Sequence, residues 1–210
     1  MRITAERLGA DLAAARAGGI ALALHAIGDR AIAFALDAVE RAVPRGPRVP
    51  RERIEHAQLL RSSDAGRFAA VGVVASIQPI HAAADRDLVE LGWVARRSDA
   101  YAWRSPATAG ALLAAGSDAP VESINPWLGM FAAVHRRFPD DARGDWLPAQ
   151  ALTIAESLAA YTLVPALGPL EPATRATFAL AHTPIWRSCR SAWRTFFATP
   201  MRHSPVCDQR

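Results

Sequence analysis

Apolar positions recur along the chain with two periods, and the alternation between them sets the fold class. Over residues 4–17, Leu8, Leu12 and Ala15 fall three or four apart, on one helical face, and Gly18-Gly19 stops the run. Residues 20–26 form a short apolar stretch of strand length, with His25 at its end. A helix over about 30–43 places Ile32, Leu36, Val39 and Val43 on one face, with Asp29 placed to cap it. Pro44 to Pro50 reads as a loop, residues 53–56 as a second strand, 62–70 as a helix, and 71–77 as a third strand ending at Gln78-Pro79. The pattern predicts helices over 84–91 and 106–115, a strand end with a turn at 116–120, and closing helices over 127–137 and 149–161.

A helix followed by four strand–helix units predicts an α/β fold with a parallel sheet and right-handed crossovers. In such folds the chemistry gathers at the carboxyl ends of the strands. His25, His56, Gln78 with His81, and Asp118 all fall at predicted strand ends. Four strands make half of an eight-stranded barrel.

Composition narrows the class. The chain is 51% hydrophobic and 21% charged, enough apolar content for a core, which excludes a disordered or fibrous protein. No apolar run reaches the roughly 18 residues of a membrane span, and the N-terminus is amphipathic and carries acids, so a cytoplasmic protein with no membrane partner is expected. Cys189 and Cys207 cannot make a disulfide framework or a four-cysteine zinc site. All 24 basic residues are Arg. Residues 1–172 hold 18 Arg and 19 acids, whereas residues 173–210 hold six Arg and one acid. The basic balance therefore belongs to a tail, the body offers no basic surface, and no nucleic-acid partner is expected. The same break predicts two segments, a body over 1–172 and an atypical Arg-rich tail over 173–210.

The candidate chemistry is metal ligation. Imidazole nitrogens bind zinc, and ligands from different strand ends can meet on one ion. One histidine alone reads as well as a satisfied core residue; two histidines and an aspartate at successive strand ends point toward a metal. Asp118, in Gly-Ser-Asp-Ala-Pro, can ligate a metal or take a proton from activated water, or it can cap a turn. Ser117 beside it lacks the Gly-x-Ser-x-Gly setting of a nucleophile. His81 can bind substrate or cap a loop. Arg53 can hold a substrate carboxylate by a bidentate fork or stand solvated. His135 reads as a structural helix residue, and His182 and His203 show no ligand spacing.

Together, LALHAIGDRAIAFALDAVE, RIEHAQLL, VVASIQPIH, DAYAWRS and LLAAGSDAPVESINPWLGMFAAV, in this order, resemble the metal-dependent amidohydrolase superfamily, in its YtcJ-like branch (amidohydrolase type 3), which includes N-substituted formamide deformylases. The resemblance covers about residues 5–171. It implies a partial (β/α)8 barrel, here strands five to eight with their helices. It also implies metal ligation by His25, His56 and Asp118, with Asp118 as the catalytic proton shuttle, and Gln78 and His81 on the strand-seven side of the substrate pocket. The implied reaction is hydrolysis of a non-peptide carbon–nitrogen bond, an amide or formamide, with a divalent metal, zinc above all. The family's first-strand His-x-His has no counterpart here, and without any Lys the chain has none of the carboxylated lysine often found on strand four. A truncated member is therefore expected, with a non-catalytic fragment as the alternative. Its partner would be a complementing half-barrel or a second copy of the chain.

Overall fold

In the computed structural model, which describes residues 3–42 and 51–166, four short strands pair side by side in chain order, all parallel. They are β1 (Ala23–Ala26), β2 (Arg53–His56), β3 (Val74–Ile77) and β4 (Leu113–Ala115). The register runs His25 beside Glu55, Glu55 beside Ser76, and Ser76 beside Ala114. The helices are α1 (Ala5–Ala17), α2 (Asp29–Ala42), α3 (Ser62–Val71), α4 (Pro79–Ala84), α5 (Arg86–Gly92), α6 (Arg104–Thr108), α7 (Pro126–His135), α8 (Ile154–Tyr161) and α9 (Leu163–Ala166). No described helix is long and apolar enough to cross a membrane.

Strand alternation divides the sheet into two unlike faces. Ile54, Ala75, Ile77 and Leu113 are buried in one apolar cluster with Ile32, Leu36 and Val39 of α2 and Phe68 and Val71 of α3. Each large side chain removed from water here contributes about 1.5–3 kcal/mol. The other face carries His25, Arg53, Glu55 and Ser76 and is only partly covered. Val164 and Pro165 of α9 stand over it and help enclose a cleft of about 400 Å3. Parallel sheets are ordinarily covered on both faces. On the outer side of β1 lies an apolar hollow of about 710 Å3 lined by Ile3, Leu8, Leu24 and Phe34.

Several expected boundaries move, each for a local reason. The first strand starts at Ala23 rather than at residue 20, because Gly19 turns left-handed and Ile20 N–H closes α1 by donating to Ala15. The third strand starts at Val74 because Gly72 caps α3 in the left-handed region and Val73 N–H returns to Phe68. The helix expected over 106–115 is wrong past Thr108: Gly110 takes φ +87 and Leu113–Ala115 join β3 as β4. A short run of Leu and Ala fits helix and strand alike, and pairing decides it. Between Pro79 and Ala84 stands a helix that the strand-end reading lacks; Pro79 occupies its first turn, where a missing N–H costs nothing. The helix expected over 127–137 ends at His135, because Arg136 turns left-handed. The helix expected over 149–161 starts at Ile154, where Thr153 and Glu156 form a reciprocal capping box. The tail at 173–210 lies outside the described residues, as do His182, His203 and both cysteines.

Helix α7 meets α8 at a glycine. A Cβ on Gly129 would stand 1.9 Å from the Tyr161 hydroxyl, so something must shift. Gly129→Ala is expected to lower stability by about 1–3 kcal/mol through overpacking, whereas Gly9→Ala, on α1 with open space around it, raises it by about 0.5–1 kcal/mol. Urea unfolding midpoints of the two variants check both signs.

Candidate metal centre

The parallel register delivers the carboxyl ends of all four strands to one side of the molecule. His25 leaves β1 on the partly covered face and is exposed. His56 has the parity of Ile54, which alternation would send under the helices. Instead His56 takes φ +77 and Ala57 φ +45, a left-handed turn uncommon for residues with a Cβ. The turn lifts the imidazole out of the alternation, and its ring meets that of His25 edge to face, centroids 4.5 Å apart. Beyond β3, His81 sits in α4 and is buried, its ring parallel to that of His56 at 5.9 Å. Beyond β4, Asp118 also turns left-handed, at φ +59, and its carboxylate comes within 4.0 Å of His81 Nε2.

Donor atoms of His56, His81 and Asp118 lie within 4.8 Å of one another. His25 stands at the rim of this trio, against His56. Among the described residues, six buried side-chain polar atoms have no hydrogen-bond partner, and three of them belong here: His56 Nδ1, Gln78 Oε1 and His81 Nε2. Buried polar atoms are rarely left unpaired in a folded protein. An orphaned nitrogen of His81 facing a carboxylate, with a donor atom of His56 in the same group, fits a divalent cation, since neutral imidazole and carboxylate are zinc-type donors.

Burial and the neighbouring His25 hold the His56 imidazole below its ordinary value near 6.5, His81 adds to this, and the Asp118 carboxylate opposes it. His56 is therefore neutral at pH 7, the form in which a ring nitrogen can donate to a metal.

The other expected residues fall around this point. Gln78, buried, lines the cleft with Asp118. Arg53 lines the same cleft but is half-exposed, and its Nε donates to Glu55 at 2.5 Å. His135 closes α7, its ring tilted against that of Phe131 and its Nδ1 facing Asp145.

Three residues without an expected role hold the centre in shape. Gln58 is buried, with its amide nitrogen 3.4 Å from His81 Nδ1. Tyr101 N–H donates to the Gln58 carbonyl, and the Tyr101 hydroxyl donates to the carboxylate of Asp85, the residue that caps α4 behind His81. Arg136 is fully buried and donates to the carbonyls of Tyr101, Ala100 and Trp146, with its guanidinium between the rings of Trp103 and Trp146. Burial pushes it down to about 9, still a cation at neutral pH. The Gln two positions after His56 was legible in the sequence; the burial of Arg136 in an Arg-Arg pair was not.

Residues 3–167 match the sequence profile of the amidohydrolase family. The chain belongs to that family. It is 38% identical over 192 residues to Protein LONG AFTER FAR-RED 3 of Arabidopsis thaliana, covering 86% of this chain and 33% of the relative. It is 34% identical over 164 residues to the putative amidohydrolase YtcJ of Bacillus subtilis (strain 168), covering 75% of this chain and 30% of the relative. The fold superposes on the crystal structure of an uncharacterized metal-dependent hydrolase from Pyrococcus horikoshii OT3 with a TM-score of 0.69 and 32% identity, over 82% of this chain and 36% of that one. The chain thus spans about a third of the length of these relatives.

The electrostatics of His56 are open to test in the metal-free protein. By NMR its imidazole is expected to titrate below 6.5. Asp118→Asn lowers the midpoint further, because it removes the opposing negative charge, and His25→Ala raises it. With the folded value depressed, the unfolded chain takes up the proton first, so this group's contribution to stability is level above 6.5 and falls as pH drops toward the folded value.

Proposed function

We propose that this centre is that of a divalent-metal hydrolase that cleaves a non-peptide carbon–nitrogen bond, an amide or formamide. What carries the reading is the meeting of His25, His56, His81 and Asp118 at the carboxyl ends of parallel strands, with buried ring nitrogens that no described protein atom satisfies. In this reading β1 to β4 are barrel strands five to eight, and His25, His56 and Asp118 hold the metal. Zinc suits their nitrogen and oxygen donors best. When bound, the ion supplies Lewis acidity for the substrate carbonyl and for the attacking water.

The chain's own groups do the rest. The Asp118 carboxylate, partly exposed to the cleft, accepts the proton of the attacking water and returns it to the departing nitrogen. Gln78 Oε1, buried without a partner, accepts the substrate N–H. Arg53 fixes an anionic end of the substrate, with Glu55 holding its guanidinium along the strand. The left-handed backbone at His56 and Asp118 keeps both side chains turned toward the reaction.

A second reading is supported by the partly covered sheet face and by the apolar hollow beside β1: a half-barrel that works only with a complementing chain.

Zinc-loaded protein assayed on N-substituted formamides and simple amides, with release of amine measured, tests the first reading. The expected result is turnover that a chelator removes and zinc restores, and that falls about 100-fold or more in Asp118→Asn. Turnover indifferent to both would contradict it. Stoichiometric zinc without turnover supports the half-barrel.

A further inference from the structure

His81 lies on the far side of His56 from His25, and its surroundings ask for more than a pocket wall. Its Nε2 is buried, lacks a hydrogen-bond partner and faces Asp118 Oδ2 at 4.0 Å. His56 Nδ1 is orphaned in the same way, and both residues are more than nine-tenths buried. A buried imidazole nitrogen with no partner loses its hydrogen bond to water and regains nothing. A donor atom of each of His56, His81 and Asp118 lies within 4.8 Å of the others, so one cation can serve all three residues.

We propose that His81 is itself a metal ligand, joining His56 and Asp118 from the ligand set proposed above, and that Gln58 is its positioning residue. The proposal rests on the metal-centre reading above and adds to it a ligand from α4.

The donors lie within 4.8 Å of one another. Tetrahedral zinc bonds of about 2.0–2.1 Å set donors roughly 3.4 Å apart. Binding must therefore draw the side chains inward. Asp118, on an exposed turn, has the freedom to do so. His81 does not, because α4 is held at both ends. Pro79 starts it beside β3, and Asp85 N–H closes it on the His81 carbonyl at 2.8 Å while the Asp85 carboxylate takes the Tyr101 hydroxyl.

Gln58 settles which nitrogen of His81 carries the proton. Its side-chain amide nitrogen lies 3.4 Å from Nδ1, and its main-chain carbonyl accepts from Tyr101 N–H at 2.5 Å. With the amide nitrogen toward Nδ1, the proton of a neutral His81 sits on Nε2, and Nε2 cannot donate to a metal. A half-turn of the side-chain amide presents its oxygen instead. Nδ1–H then donates to that oxygen, and the Nε2 lone pair points at Asp118 and the metal. The two amide orientations have almost the same shape, so the exchange needs little space. Partners of this kind orient metal-binding histidines, and their loss costs about 10–100-fold in metal affinity.

The test uses the full chain, stripped of metal and titrated with zinc alone against a competing chromophoric chelator. Circular dichroism and urea midpoints show that each variant is folded. The wild type is expected to bind one zinc. His81→Ala should weaken binding about 100-fold or more, a loss as large as that in His56→Ala. Gln58→Leu should cost about 10–100-fold, and Gln58→Glu, which keeps an acceptor at Nδ1, should restore wild-type affinity. Zinc binding unchanged in His81→Ala, but lost in His56→Ala and Asp118→Asn, overturns the His81 assignment and leaves the hydrolase reading standing. A wild type that binds no zinc overturns both. Should His81→Ala unfold, long-range 1H–15N spectra of the wild type decide: zinc moves the His81 Nε2 resonance and leaves Nδ1 protonated, and an unmoved His81 at stoichiometric zinc refutes the assignment.

Discussion

Parallel pairing puts every carboxyl strand end on one side of a sheet, so whatever side chain follows a strand enters the same space. Here β1, β2, β3 and β4 pair in chain order, and that pairing brings His25, His56, Gln78 with His81, and Asp118 to the same side. The apolar cluster beneath the sheet, with Ile54, Ile77, Phe68 and Leu36 fully buried, fixes the register because a one-residue slip would send the strand residues Ile54 and Ile77 to the polar face. The site is positioned by the core, although none of its side chains is part of it.

Strand geometry alone would leave the site incomplete. The proposed chemistry needs His56 out of alternation and Asp118 turned toward it, and both residues take left-handed backbone. Such conformations cost about 1–3 kcal/mol each and persist where surrounding structure enforces them. At His56 the enforcement is visible: Ala57 and Leu59 N–H groups return to the end of β1 and the turn after it, and Tyr101 N–H holds the main-chain carbonyl of Gln58. Arg136 holds Tyr101 in turn, a buried cation satisfied by three carbonyls and two indole faces. Asp29 plays a related part at the surface. Arg61 and Arg96 both bond its carboxylate, holding it at about 2, and so tie the turns after β1 and β2 to the segment at Val94–Asp99.

The sequence made the sheet and the strand-end residues legible because hydrophobic period and motif order report on them directly. The parallel class, the second strand at 53–56 and the positions of His25, His56 and Asp118 needed no tertiary information. What escaped depends on pairing or on burial. Leu112–Ala115 suits helix and strand equally until β3 lies beside it. The α4 helix is too short for a period, and only Pro79 announces it. Arg136 looks like any surface arginine until its left-handed turn carries it inward. His81 was legible as a residue near the site, yet its distance to Asp118 and its bond with Gln58 exist only in three dimensions.

The polar sheet face carrying Arg53, Glu55 and Ser76 is half-covered, in a chain that spans about a third of its relatives, while the donor group at the strand ends is assembled from the described residues alone. Zinc K-edge X-ray absorption of the metal-loaded chain reads whether these donors share one ion. A nitrogen and oxygen shell at about 2.0–2.1 Å, with the outer-shell scattering of at least two imidazoles, is expected. A shell of oxygen alone, without imidazole scattering, would contradict it.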